Sequence, residues 1–344
     1  MKTFSRSIFV LIFCSLLMTS CQPAVTPEST TSADTERIPI SVSNVDQVEA
    51  LMTLTGHKDG VTSLIFMPDT SQLASLSGDR VLTLWDLNQG QKISTLTEPG
   101  ERVYNAAFSL NGKWLAVGNS DNSIGLWDVT TGTLKQELCC SNSFIMKIAF
   151  SPDSMWLASG TAEGDITLWD LQSGAELYTL QAPKSPIGSL AFSPDGALLA
   201  SGNSEGNTDI TLWDLKSQQV VDTLKGHNGN VYNLVFTPDG NQLISSSGDL
   251  TIKFWDLASG QELRTLRGHG NYVYGLALSP DGNLLASASA DGLIKLWEVE
   301  SGKEIRTLDS QDEYIFWLAF SQDGTLLASS VAKSEAIILW GLKP

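Results

Sequence analysis

Residues 268–282 read GHGNYVYGLALSPDG: a Gly-His pair, two tyrosines flanking a valine, an apolar run and a Pro-Asp-Gly turn. With variations, this stretch occurs seven times. Its turns, MPDT, SLNG, SPDS, SPDG, TPDG, SPDG and SQDG, begin at 67, 109, 151, 193, 237, 279 and 321. Proline presets φ and glycine accepts positive φ, so each marks a chain reversal. Leu-Trp-Asp-like triplets follow, placing Trp85, Trp127, Trp169, Trp213, Trp255, Trp297 and Trp340 at spacings of 42, 42, 44, 42, 42 and 43. Short β-rich runs such as ITLWDL and LLASAS fill the intervals, and no segment carries a helical period. Self-similarity at such a period marks a repeat array, here of four strands per unit.

These units resemble WD40 repeats, which form the blades of β-propellers. The resemblance covers residues 48–344 and implies an all-β, seven-bladed β-propeller of four-stranded WD40 blades. The last unit stops just after Trp340, with no fourth strand following it. VEALMTLTGH (48–57) aligns with GQELRTLRGH (260–269), the fourth strand of another unit. The N-terminal strand is therefore expected to complete the last blade and remove an open edge.

The first twenty residues differ from the rest. Lys2 and Arg6 precede an apolar run from Ile8 to Met18, too short to span a bilayer and suited to a cleaved signal peptide. Met18-Thr19-Ser20-Cys21 resembles the bacterial lipobox, departing from it at Met18, where leucine is usual. That resemblance implies that Cys21 is acylated and becomes the mature N-terminus. Cys14 is a poor rival, because Phe13 before it is too bulky for a small-residue cleavage site. Residues 22–46 are rich in Ser, Thr and Pro with no aromatic residue, and read as a tether. The expected organisation is a signal peptide at 1–20, an acylated Cys and tether at 21–47, and a propeller at 48–344. Gln22, rather than Asp, resembles lipoproteins sent to the outer membrane where the host has one. The expected location is the cell envelope, outside the cytoplasm.

Without Lys2 and Arg6 the formal net charge moves from −17 to −19. Such a field repels phosphate backbones, so nucleic acid is not an expected partner.

The chain has three histidines, each in a Gly-His pair. The WD40 resemblance implies that such a His bonds an Asp, linked through a Ser and the blade Trp. Three full sets occur: His57, Ser75, Asp79 and Trp85; His227, Ser245, Asp249 and Trp255; and His269, Ser287, Asp291 and Trp297. The sharper reading, a catalytic or metal-binding His, fits poorly because each lies in a separate unit with a local partner. The other four blades lack this His and are expected to be looser at the corresponding loops. There is no HExxH, CxxC or GxxxxGK[ST] motif, so neither enzyme activity, cofactor nor metal is expected. Cys139 and Cys140 read as small apolar fillers or free thiols, with a vicinal disulfide or a cross-link to a partner as the alternatives.

Aligning the first strands by their turns answers what the tyrosines are for. One column reads Val61, Val103, Ile145, Ile187, Val231, Val273, Ile315, and two others are as uniform. The columns flanking it swing widely. The first holds Gly60, Arg102, Phe144, Pro186, Asn230, Tyr272 and Tyr314; the second holds Thr62, Tyr104, Met146, Gly188, Tyr232, Tyr274 and Phe316. Close-packed cores punish even one methylene, so equivalent core sites could not hold both Gly and Tyr. The columns are expected on a face freed from packing. In WD40 propellers these positions lie on the top face around the channel, where partners dock. Five of the chain's six tyrosines fall here, a composition typical of interface cores. Trp317, in a column otherwise of Ser63, Asn105, Lys147, Ser189, Asn233 and Gly275, is the candidate to plug the channel.

The expected protein is thus a membrane-anchored, monomeric, non-catalytic interaction scaffold binding an unidentified protein or peptide on its top face. The alternatives are a propeller enzyme or small-molecule binder at the channel mouth, and a structural subunit of an envelope assembly.

Overall fold

The structure is a computed structural model describing residues 37–68, 71–97, 105–119, 121–139, 143–182, 184–205, 208–311, 314–331 and 335–343. Cys21 and the signal segment lie outside the described residues, as do Arg102 and Tyr104. The loops expected to be looser, around 98–104, 140–142 and 312–313, fall there too.

Among the described residues the strands form seven four-stranded antiparallel sheets. The fifth shows the plan: Val231–Phe236, Gln242–Ser247, Thr251–Asp256 and Gln261–Arg267 pair in sequence order. The first of these buries Val231, Leu234 and Phe236, the second is buried from Leu243 onward, and the last exposes most of its residues. That gradient runs from the centre of the ring to its rim. Turns between the first two strands carry the positive φ that the Pro-Asp-Gly signal requires, 71° at Gly240 and 73° at Gly282. Ser154 takes φ 59° at the matching position of the third blade, where a side chain is strained.

Innermost strands of adjacent blades contact one another all round the ring, including Ile315–Phe320 against Val61–Phe66. The core is correspondingly divided into wedges between blades rather than gathered at one centre. One wedge unites Leu54, Val61, Phe66 and Trp85 with Leu326, Ala328, Ile337 and Leu339, from the two ends of the chain. Glu49–Leu54 pairs antiparallel with Ala336–Gly341 and completes the last blade. Closure therefore comes from the N-terminal strand. Leu54 is 1% exposed there, and burying such a side chain stabilises by about 1.5–3 kcal/mol.

The packed chain begins ahead of the boundary expected at residue 48. Ile40 and Val45 are buried against the sixth and seventh blades, and Val45–Gln47 forms a single 3₁₀ turn. Ile40 N–H donates to the Gly324 carbonyl at 2.9 Å, and the Arg306 guanidinium donates to the Asp46 and Val48 carbonyls. Two well-placed apolar residues and a guanidinium thus dock a segment whose Ser/Thr-rich composition reads as tether.

Candidate functional site

The three tetrads form on the face where the chain enters each innermost strand. In the fifth blade Trp255 Nε1–H donates to Ser245 Oγ at 2.8 Å, His227 Nε2 lies 2.7 Å from the same oxygen, and His227 Nδ1 lies 2.8 Å from Asp249 Oδ2. A carboxylate can only accept, so Nδ1 carries the proton, and Nε2 is left to accept from the serine hydroxyl. The serine therefore sits between His and Trp, not beside the Asp. The sixth blade repeats this with Trp297, Ser287, His269 and Asp291, at 2.8, 2.8 and 3.0 Å. In the first blade Trp85 and His57 both meet Ser75 at 2.8 Å. There His57 Nδ1 stands 3.5 Å from Asp79, within ion-pair reach but too far and misaligned to be hydrogen-bonded.

Electrostatics follow this geometry. Burial alone would raise the Asp249 and Asp291 carboxyls. Bonds from the histidines and from the N–H groups of Asn228 and Gly270 outweigh it, holding Asp249 well below the carboxylate range and Asp291 at about 2. Burial lowers His57, only partly offset by Asp79. In the fifth and sixth blades the nitrogens and oxygens of these sets are spent on each other or on loop backbone; in the first, His57 Nδ1 has no hydrogen-bond partner among the described residues. These contacts hold the loops in place.

Those loops deliver the aromatic residues. In the innermost pair of blades one and three to seven the register shifts immediately after the valine or isoleucine, as between Val231 and Asn233 and between Val273 and Gly275. The extra residue of the β-bulge is the second variable column, Thr62, Met146, Gly188, Tyr232 and Tyr274, and in the seventh blade the shift spans Phe316 and Trp317. A bulge breaks the two-residue alternation and re-aims its side chain. Tyr274 consequently leaves the face that parity with Leu276 assigns it.

The rings of blades five to seven touch in series. Tyr232 and Tyr274 have centroids 4.8 Å apart, Tyr274 and Phe316 4.8 Å, Tyr232 and Tyr272 6.2 Å, and Tyr272 and Tyr274 6.3 Å. Tyr314 stacks on Phe316 at 6.3 Å, 10° from parallel. Tyr272, Tyr314 and Phe316 are 45%, 44% and 36% exposed, while Tyr232 and Tyr274 are half-buried beneath them. Burial raises the hydroxyls of Tyr232 and Tyr274 above the usual tyrosine value, and an Asn230 side-chain bond opposes this at Tyr232. Tyr314 takes φ 59°, a left-handed conformation costing a bulky residue about 1–3 kcal/mol. The fold tolerates that cost to hold a ring at the surface.

Other members of the variable columns behave differently. Phe144 and Met146 are half-buried at the third blade, away from this arc in sequence order. At Gly60 a Cβ would meet nothing within 4 Å, so this site is free space. At Gly188 a Cβ would lie 2.7 Å from the Val231 carbonyl oxygen and 2.9 Å from Ser204 Cβ. Gly188 is small because the neighbouring blade presses on it, and not because the column is uniformly free of packing.

A family model described as "Nucleolar protein 10-like, N-terminal domain" matches residues 59–274, more than half of the chain. The model described as "WD domain, G-beta repeat" matches residues 260–298 and 302–340. The chain belongs to the WD40 β-propeller family. No curated protein matches it.

Two further features of this WD40 propeller bear on chemistry. Gly202-Asn203-Ser204-Glu205-Gly206 has the spacing of a nucleophile elbow. Ser204 follows a β-strand without a helix after it, and its hydroxyl donates to the Pro186 carbonyl at 3.2 Å. Among the described residues no base is hydrogen-bonded to it. Cys139, exposed at the end of Thr133–Leu138, is disulfide-bonded, which corrects the reading as filler or free thiol. The seven-blade averaging that makes the core legible also hides a gap: Val117 replaces the serine of the second blade, and Trp127 Nε1 has no partner among the described residues.

Proposed function

We propose that this WD40 propeller is a non-catalytic, monomeric scaffold that docks a protein or peptide partner on the aromatic arc of blades five to seven. A single observation carries the reading: five aromatic rings in mutual contact, three of them exposed, held on one face by bulges and a strained backbone. Desolvated clusters of Tyr and Phe supply most of the energy of protein interfaces, and rings already packed together lose little side-chain entropy on docking. By the same reading Asn230, Phe144 and Met146 extend the surface around the channel, and Arg102 and Tyr104 are assigned to it from their place in the sequence columns. On this reading Cys21 is acylated and tethers the propeller to the cell envelope, with a single lipid chain plus further acyl groups giving stable anchoring.

Replacing Tyr272, Tyr314 and Phe316 together by Ala tests this, since all three are exposed. The variant is expected to keep the wild-type circular dichroism spectrum and melting behaviour, and to lose the partner recovered by wild-type protein from envelope extract. Equal recovery by variant and wild type would refute the docking surface, and unfolding of the variant would refute its independence from the core.

A further inference from the structure

The innermost strands leave a cavity of about 200 Å³ on the channel axis. Sites for drug-sized ligands run to ~300–1,000 Å³, so this one admits only a few heavy atoms. Its walls are mainly apolar, including Leu64, Ile148, Leu190 and Leu234, with Ser63, Lys147, Ser189 and Asn233 as polar groups and Trp317 at one side.

Lys147 is the one charged group among these lining residues. Its ammonium lies 5.1 Å from the Trp317 ring centroid, and no carboxylate pairs with it among the described residues. Ser189, in the same column of the adjacent blade, is 1% exposed, but its hydroxyl lies against Gly202 of the second strand and faces away from the channel. Cations taken out of bulk water are ordinarily paired, so a lysine without a carboxylate on a mainly apolar cavity points to a missing counter-charge. Loss of solvation pulls Lys147 from the usual lysine value down to about 8, as for a cation given no counter-charge. The strands packed on that of Lys147, namely Asn105–Phe108, Trp114–Gly118, Trp156–Thr161 and Ile187–Phe192, carry no titratable residue. Tyr232 and Tyr274, on strands across the channel, do not line the cavity.

We propose that the channel is a binding site for one short-chain monocarboxylate, its charge and oxygens met by Lys147 and its tail by the apolar walls. One lysine balances one negative charge; a phosphate dianion would be left with buried uncompensated charge. The cavity holds a free ligand of this size but no peptide. The site is separate from the aromatic arc and stands whether or not that arc docks a partner.

Calorimetric titration of the full-length protein with sodium propionate, in buffers of different ionisation enthalpy, tests the assignment. Expected is one site that takes up ~0.5 proton per propionate at pH 8, because Lys147 is half-neutral there, falling towards none at pH 6.5. Lys147→Met should bind at least tenfold more weakly and lose the proton linkage. Sodium phosphate and propylammonium chloride should not compete. Propionate binding that is absent, unchanged in Lys147→Met, or matched by phosphate would overturn the proposal. Should that variant fail to fold, NMR of wild-type protein carrying ¹³Cε-lysine decides. Saturating propionate must raise the Lys147 titration midpoint, and an unmoved midpoint refutes the site.

Discussion

Ser245→Ala removes one fully buried oxygen from the tetrad of the fifth blade. That oxygen serves Trp255 at 2.8 Å and His227 at 2.7 Å, so its loss strands two buried groups. Each unsatisfied group costs about 1–3 kcal/mol, giving roughly 2–6 kcal/mol for the pair. Ser159→Ala in the third blade is the matched control. Ser159 is equally buried and accepts from Trp169 at 2.8 Å, but no histidine stands against it. One stranded group predicts about 1–3 kcal/mol, so the two variants should differ by roughly the value of one buried histidine contact. Urea unfolding at 25 °C followed by tryptophan fluorescence reads the difference as a shift in midpoint at unchanged slope. Equal losses, within about 0.5 kcal/mol, would show that the histidine contributes nothing through the serine, and the tetrad account would fail.

Three further outcomes follow from the same structure. Asp291 is held at about 2, below its ordinary value of 3.8. Its contribution of roughly 2 kcal/mol is thus full above pH 4 and lost as pH falls towards 2; Asp291→Asn should flatten acid unfolding in that window, and an unaltered profile would contradict the assignment. Val117→Thr offers Trp127 the hydroxyl that the second blade lacks. It should be neutral or stabilise by about 1 kcal/mol, whereas Val231→Thr, with no such donor to serve, should cost about 1–3 kcal/mol in the same denaturation assay. Deleting residues 1–36 should leave a folded monomer, while deleting 1–56 removes the closing strand and should yield unfolded or aggregated protein by size-exclusion chromatography. A stable monomer starting at residue 57 would contradict closure by Glu49–Leu54.

The ring was legible because seven copies average out noise: a tryptophan every 42–44 residues and a turn in register with it leave one architecture. The tetrads were legible for the same reason, as fixed spacings of His, Ser, Asp and Trp. What escaped the reading depends on neighbours in space. No residue type announces the bulge at Tyr232 or Tyr274, since any side chain can occupy it, and strict alternation then misdirects the ring. Gly188 and Gly60 look alike in the alignment, yet one is crowded by the Val231 carbonyl and the other is free. Residues 37–47 are polar on average, and only the docking of Ile40 and Val45 reveals that they belong to the propeller. The unpaired state of Lys147 became visible only when six blades were brought around one axis.

Docking through the aromatic arc is tested most directly by site-specific photo-cross-linking in intact cells. A photoreactive phenylalanine analogue replaces Tyr272 or Tyr314 on the arc, or Asp239 in an exposed turn at the opposite end of the innermost strand. The account predicts one shared cross-linked protein from positions 272 and 314 and none from 239. The same adduct at 239, or none at either tyrosine position, would contradict it.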